Sequence, residues 1–472
     1  MNENIEKYME WDKKYYLHTF MNENNYQPIP VERTNGDKIY TYYDGEYLDF
    51  NSQLVSTNLG NSNNTINERV CEAINKYGFL WEKFLCNYRA EAVYKIIEEI
   101  PGMNHWAQRI KFYSSGSEAI EAAITLARLI RQKNKVLIKS IDFHGWTGKA
   151  GNTTSIPYYG SMQSIKDHNL YSQKKDNNYI EIPTPYCSDC PLHSNYDECK
   201  CSSKLKCIEK AEEIIIKENP DEIAACITEI VSGFGAILPP KEYIPQLRVL
   251  LNKYGILWID DEVLTGFGRL GKWFAYQFYD DIYPDIMCIG KGLTNSLVPC
   301  SGIVISKELS QQLEENIWFF GSTFSGHPLA MAAISATIDY MLENQIIELS
   351  KERSNFIREA LEGLKNKYQD LLESVSGKGF FWSIEFKGSK YLSRKINIKG
   401  VFSPAAFVSQ ECYKRKLILG GLLPWTLRLT PSLTMDIEDL QIGMKILDEA
   451  LGSLELYCKE EGKTLEEMVN AL

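Results

Sequence analysis

Six short apolar runs recur between residues 110 and 306, and stretches of helical period lie between them. They are "IKFYSS" (110–115), "KVLIKSI" (135–141), "IAACITEI" (223–230), "GILWIDDEV" (255–263), "DIMCIG" (285–290) and "SGIVIS" (301–306). Apolar runs of this length, bounded by glycine and polar residues, read as strands buried on both faces. Joined through helices, they predict a largely parallel sheet covered on both sides. After the first run comes "GSEAIEAAITLARLIRQ", whose Ile120, Ala123, Ile124, Ala127 and Ile130 fall at helical spacing. Residues 1–65 are polar and turn-rich with a hairpin-like "KIYTYYDGEYLDF", and residues 66–100 are helical in period. From about residue 330 the pattern changes. A long helix, "PLAMAAISATIDYMLENQ", leads into helices and short strands ending in "WTLRLTPSLT", which reads as a smaller α+β domain.

A length of 472 residues fits two domains, or one large α/β domain with a satellite. Composition is ordinary for a globular protein, 44% hydrophobic and 24% charged. The net charge of −11, with no long basic run, argues against nucleic acid or an anionic membrane as partner. "MNENIEKYMEWDKKYY" has no apolar core of the signal-peptide kind, and no run of about 18 apolar residues occurs. A cytoplasmic location is expected. Of the twelve cysteines, Cys71, Cys86, Cys226, Cys288, Cys300, Cys412 and Cys458 are scattered and read as small packing residues.

Candidate chemistry begins at "IMCIGKGLTNS" (286–296), where a buried strand runs into Lys291 with Gly290 and Gly292 on either side. A desolvated lysine has a lowered pKa, and its neutral amine can form a Schiff base with an aldehyde. The flanking glycines are read as room for a bulky ring. Upstream, the strand of "GILWIDDEV" ends in Asp260, Asp261 and Glu262, at the rim where parallel sheets bind ligands. In "YSSGSEAIEAA", Ser115, Gly116 and Ser117 open a helix whose free N–H groups suit a phosphate, although Gly-Ser there is also an ordinary cap. Phosphate cradle, carboxylate and strand-end lysine, in that order, are what pyridoxal phosphate requires.

With "YSSGSEAIEAAITLAR", "FHG" (143–145), "DEVLTGFGRLGKWFA", "PDIMCIGKGL", "GSTFSGHPLAMAA" and "LRLTPSLT" in this sequence, the chain resembles the class III (ω-) aminotransferases among the fold-type-I pyridoxal-phosphate enzymes. The motifs run from about residue 50 to about 440. The resemblance implies a large cofactor-binding domain over 66–329, with a mostly parallel mixed sheet. It implies a smaller α+β domain built from both termini, 1–65 and 330–472. By matched position, Lys291 is the Schiff-base lysine and Asp261 pairs with the pyridine nitrogen. Ser115, Gly116 and Ser117 hold the phosphate, Phe143 and Val263 cover the two ring faces, and His144 lies beside the ring. Thr323 is the phosphate ligand given by a partner subunit, so a homodimer or a dimer of dimers is implied. Arg428 binds the substrate acid group, and Glu229, also beside the cofactor, neutralises it when an uncharged substrate end must fit. The implied reaction is a ping-pong transfer of an amino group from an ω-amino acid or amine (taurine, β-alanine, 4-aminobutyrate or similar) to a 2-oxo acid. A racemase, epimerase or aminomutase on the same fold is the alternative, and a non-catalytic metal-binding protein is a third that the intact lysine and aspartate argue against.

Two features depart from the family pattern. Leu264 stands where a glutamine often follows "DEV", and Asn61 and Asn63 stand where histidines are frequent. "LDFNSQLV", "GKWFA" and "FSGHP" look most like the branch that handles taurine and related ω-amino substrates. His18, His105, His168 and His327 read as structural or surface residues.

The segment "YCSDCPLHSNYDECKCSSKLKC" (186–207) is an insertion that matches none of these motifs. Cys187, Cys190, Cys199, Cys201 and Cys207 have the density and the C-x-x-C spacing of a zinc or iron–sulfur site, with zinc preferred and His193 as a substitute ligand. Such a site would be structural, and the alternative is thiols that only pack.

Overall fold

Buried β-branched and aliphatic residues set the architecture. A computed structural model describes residues 3–19, 24, 26–155, 176–190, 192, 199, 204–388, 402–423 and 425–470. Seven strands form the central sheet: β1 (Ala107–Tyr113), β2 (Lys135–Lys139), β3 (Tyr179–Ile182), β4 (Ile223–Thr228), β5 (Leu257–Asp261), β6 (Ile286–Ile289) and β7 (Ser301–Ser306). Their order across the sheet is β1-β7-β6-β5-β4-β2-β3. β7 runs antiparallel to both β1 and β6, and the other pairings are parallel.

Strands β4, β5 and β6 are buried at every residue. Alternate side chains enter opposite cores. Cys226, Trp258, Met287 and Val304 pack on one face, and Ala225, Ile227, Ile259, Cys288 and Ile303 on the other. The helix Gly116–Arg131 covers the second face with Ala119, Ile120, Ala123, Ile124 and Ala127, as its periodicity predicts, and Ile130 packs at the margin.

Register places the chemistry. Thr228 lies level with Asp260, and Asp261 with Cys288. The carboxyl ends of β4, β5 and β6 therefore deliver Glu229, Asp261 and Lys291 to one rim.

Two four-stranded sheets flank this body. One joins Val31–Asn35, Lys38–Thr41 and Gly45–Asp49 to Leu417–Ile418, so both ends of the sequence meet in one sheet. Its hairpin turns at Gly45, where φ is +77°. The other is built from Leu372–Lys378, Phe381–Phe386, Gly420–Leu423 and Thr426–Leu429, and Arg428 stands opposite Ser383 and Gly420. Among the described residues no helix is long and apolar enough to cross a membrane.

Candidate active site

Lys291 leaves β6 through Gly290, which is extended, and enters a short 3-10 turn, Lys291–Thr294. Its own φ is +42°, a left-handed conformation rare for a long side chain and often found where a site fixes one group. The residue is half-buried. Burial lowers the amine to about 8, the Glu229 and Asp261 carboxylates oppose that shift, and the Arg428 and Arg269 cations reinforce it. An amine in that range is partly neutral near physiological pH and therefore nucleophilic.

The glycines beside it do different things. A Cβ on Gly290 would lie 3.2 Å from Val263 Cγ1 and 3.6 Å from Ser301 Cβ. A Cβ on Gly292 would lie 2.4 Å from Asn58 Nδ2 and 3.1 Å from Phe267 Cβ. The space beside Gly292 is filled by Asn58, which corrects the expectation that this glycine clears room for a ring.

Of the three acids ending β5, Asp261 faces the site. Its Oδ2 lies 2.6 Å from His144 Nδ1, and its Oδ1 accepts from the Val263 N–H at 3.1 Å. Burial opposes charge on His144, but the hydrogen bond to Asp261 and the charges of Asp261, Asp142 and Glu229 outweigh it and raise its pKa. Glu262 is used structurally: it accepts from Thr265 Oγ1 and, at 3.0 Å, from the Tyr276 N–H. Burial, then the charges of Glu262 and Asp261, push Asp260 far up.

Glu229 follows β4 and is buried. Its Oε2 accepts from the Phe143 N–H at 3.0 Å. Burial, then the Asp142 charge, raise it to about 8. Arg428 is also buried, and its Nη1 donates to the Gly233 carbonyl at 2.9 Å. Gly233 bridges the pair, since a Cβ there would lie 2.8 Å from Glu229 Oε1 and 2.9 Å from Leu264 Cδ1.

At the helix start, Ser115 Oγ accepts from the Glu118 N–H at 3.3 Å, so this hydroxyl serves as the cap. Ser117 is half-buried, and its Oγ accepts from the Trp146 N–H at 3.4 Å. A Cβ on Gly145, at φ +122°, would fall 2.1 Å from Ser117 Oγ, so the "FHG" loop can approach this helix only through glycine. Gly116 is less crowded, since a Cβ there would lie 3.2 Å from Val263 Cγ1. Phe143 and Val263 are half-buried. Thr323 is exposed on the loop before the helix Pro328–Glu343.

These residues fit pyridoxal phosphate. The helix Gly116–Arg131 offers N–H groups and a serine hydroxyl to a phosphate. A carboxylate hydrogen-bonded to a buried histidine is available to a protonated ring nitrogen, and a half-buried amine to an aldehyde.

Lys139, Asp142 and Ser232 were missed. They form a buried network behind Glu229 and His144. The signal was a lysine ending an apolar strand with an aspartate three residues on.

Of the cysteine segment, Cys187, Cys190, Cys199 and Cys207 are among the described residues. Among the described residues no group of three or more His, Cys, Asp or Glu is arranged to hold a metal ion. Cys207 packs into the core from the first turn of the helix Lys206–Lys217. Cys187 Sγ contacts the Pro185 carbonyl at 3.9 Å, and burial, with Cys190 and Cys199 nearby, pushes its thiol up to about 12. Cys199 is half-buried, while Cys201, His193 and His168 lie outside the described residues. His18 lies 3.0 Å from Asp12, His105 is exposed, and His327 caps the helix Pro328–Glu343, in keeping with structural roles.

Fold and site together define a pyridoxal-phosphate-dependent enzyme of fold type I. The family model for aminotransferase class-III matches residues 20–451. The chain belongs to the class-III aminotransferases and is a pyridoxal-phosphate-dependent transaminase. An S-selective transaminase from Bacillus megaterium superposes with a TM-score of 0.86 at 35% identity, covering 95% of this chain and 98% of that one. Gamma aminobutyrate transaminase 2 of Solanum lycopersicum is 26% identical over 452 residues, 92% of this chain and 93% of the relative. A leucine/methionine racemase of Thermococcus litoralis is 27% identical over 439 residues, 91% and 92% respectively.

Proposed function

We propose that Lys291 carries the cofactor through its amine, that Asp261 pairs with the protonated ring nitrogen, and that Ser115, Gly116 and Ser117 hold the phosphate. Phe143 covers one ring face and Val263 the other, with His144 and Glu229 beside them. The observation that carries this assignment is the meeting, at adjacent strand ends, of an amine held near 8 with a carboxylate–imidazole pair. When bound, pyridoxal phosphate supplies the electron sink that lets a C–H bond beside the substrate nitrogen ionise. Lys291 Nζ then takes that proton and returns it at the other carbon. Asp261, backed by His144, keeps negative charge facing the ring nitrogen throughout. Arg428 binds the carboxylate of the 2-oxo acid through its guanidinium, and Glu229, in its ionised form, neutralises Arg428 when an uncharged substrate end must fit.

The donor proposed is an ω-amino acid or a simple amine. The similarity to a gamma aminobutyrate transaminase and to an S-selective transaminase supports that range. Taurine and β-alanine belong to it on the strength of "LDFNSQLV", "GKWFA" and "FSGHP". A panel of amino donors, each assayed with pyruvate and with 2-oxoglutarate, tests this. The racemase alternative is favoured by the similarity to the leucine/methionine racemase, and it requires inversion of an amino acid with no oxo acid added.

The proposal includes a homodimer in which Thr323 completes the partner's phosphate site. Phe79, Trp81, Phe84, Leu85, Phe319 and Phe324 are exposed, and Phe79 meets Phe324 at 6.3 Å between ring centroids, an apolar face that a second copy would cover. Domain limits at 1–65, 66–329 and 330–472 are part of the same proposal, supported by the sheet that joins residues 31–49 to 417–418. So is a cytoplasmic location, which the buried free thiols Cys86, Cys226, Cys288 and Cys412 suit.

A further inference from the structure

Asp142, wholly buried, lies immediately before the "FHG" loop. Its Oδ1 is 3.1 Å from Lys139 Nζ and accepts from Ser232 Oγ at 2.6 Å. Its Oδ2 accepts from the Glu229 N–H at 2.9 Å and lies 3.7 Å from His144 Nε2. Lys139 is itself anchored, donating to the Glu229 carbonyl at 2.7 Å and to Ser232 Oγ at 3.0 Å. The His144 ring thus has a carboxylate at each nitrogen: Asp261 at 2.6 Å from Nδ1, and Asp142 facing an Nε2 that is buried and makes no hydrogen bond.

Lys139, Asp142, His144 and Asp261 are exposed by 1%, 0%, 3% and 4%, so their charges must balance locally. Two carboxylates and one ammonium leave a net negative charge in the core. A proton on each nitrogen of His144 cancels it. Other titratable groups that face this cluster include Glu229, after β4, Asp260, on β5 and acting on Lys139 and Asp261, and Lys291, after β6.

We propose that Asp142 is a positioning residue: its carboxylate keeps His144 an imidazolium with Nδ1–H directed at Asp261, and its bond to the Glu229 N–H ties that arrangement to the loop carrying Glu229. Asp142 touches neither substrate nor cofactor in this role. Its effect on turnover rests on the assignment of Asp261 to the ring nitrogen, whereas the protonation of His144 is a property of the chain itself.

The test is titration of holoenzyme labelled with 15N-histidine, which has six histidines, with His144 assigned by a His144→Gln variant. In the unaltered enzyme both His144 nitrogens should stay protonated above the ordinary imidazole value of about 6.5, and at pH 7 in particular. Asp142→Asn, close in shape but uncharged, should lower that midpoint by roughly one unit or more, while Ser232→Ala, which keeps the carboxylate, should shift it by much less. The kcat–pH profile of Asp142→Asn should move in the same direction, with the KM for the amino donor within about twofold, because a positioning group acts on the chemical step. A neutral His144 at pH 7 in the unaltered enzyme overturns the proposal even if Asp142→Asn does not fold, and so does an unchanged His144 titration in the variant. A shifted titration beside an unmoved kcat profile overturns the positioning role and leaves the cofactor assignment standing, since that is tested at Lys291.

Discussion

Replacing Gly292 by alanine should destabilise the protein without touching the reacting amine. The new Cβ would lie 2.4 Å from Asn58 Nδ2 and 2.9 Å from Asn58 Cγ. Asn58 cannot easily withdraw. Its Nδ2 donates to the Phe267 carbonyl at 2.8 Å and the Gly266 carbonyl at 3.3 Å, and its Oδ1 accepts from Arg269 Nη2 at 2.7 Å. Its backbone carbonyl accepts from Leu433 N at 2.8 Å. Forcing a methyl into a packed core costs about 1–3 kcal/mol. Each buried hydrogen bond lost when Asn58 turns away adds about 1 kcal/mol. Together roughly 2–5 kcal/mol should be lost. At about 2 °C per kcal/mol for a chain of this size, the apparent unfolding midpoint of the holoenzyme, read at a fixed scan rate, should fall by about 4–10 °C. Gly292→Ala combined with Asn58→Ala should cost clearly less than the sum of the two, because one removes the obstacle to the other. A midpoint within about 1 °C of the parent, or strict additivity with Asn58→Ala, would refute the packing account of this glycine.

Arg428→Ala should raise the KM for the 2-oxo acid by an amount equivalent to about 2–5 kcal/mol, with simple amine donors affected less, and an unchanged acceptor KM would place the carboxylate elsewhere. Because burial lowers Lys291 to about 8, uptake of pyridoxal phosphate by the cofactor-free protein should accelerate as pH rises through about 8 and then level off, whereas a midpoint near 10 would mean an ordinary exposed lysine. Burial raises Glu385 to about 7, and this carboxyl accepts from Tyr186 Oη and, at 2.5 Å, from Ser374 Oγ. Its folded pKa exceeds the unfolded value of about 4.3, so its stabilising contribution is complete below about pH 4.3 and is lost as pH rises to about 7. Glu385→Gln should flatten that decline in midpoint, and an unaltered pH–stability profile would show that Glu385 is ionised in the folded state.

Much of the sheet was legible because strands buried on both faces must be apolar throughout, and runs such as "IAACITEI" carry that mark. The edge strand Tyr179–Ile182 was not. Only its Tyr179 and Ile182 are buried, and four residues are too few to show a period. β1 begins at Ala107, three residues ahead of its apolar run, because Gln108 and Arg109 are exposed while Ala107 and Arg109 still pair with β7 across an irregularity in register. In the site, Lys291 and Asp261 could be read from strand ends. The role of Gly292 could not, since its neighbour Asn58 lies more than two hundred residues earlier. Asp142 was hidden for the same reason: Ser232 and Glu229, which bind it, are about ninety residues away along the chain. The cysteine spacing suggested a metal, and what spacing along the chain could not show is that Cys207, buried at the start of a helix, lies close enough to Cys187, Cys190 and Cys199 to feel their charges.

The central claim is that Lys291 is the amine that holds the cofactor. Holoenzyme reduced with borohydride, digested and sequenced by mass spectrometry tests it directly, because reduction makes the lysine–cofactor link permanent. The predicted result is the reduced cofactor's mass on the peptide containing "CIGKGL", at Lys291, and its absence from Lys291→Ala treated in the same way. The same mass on another lysine, or an unmodified Lys291 in a fully active preparation, would contradict it.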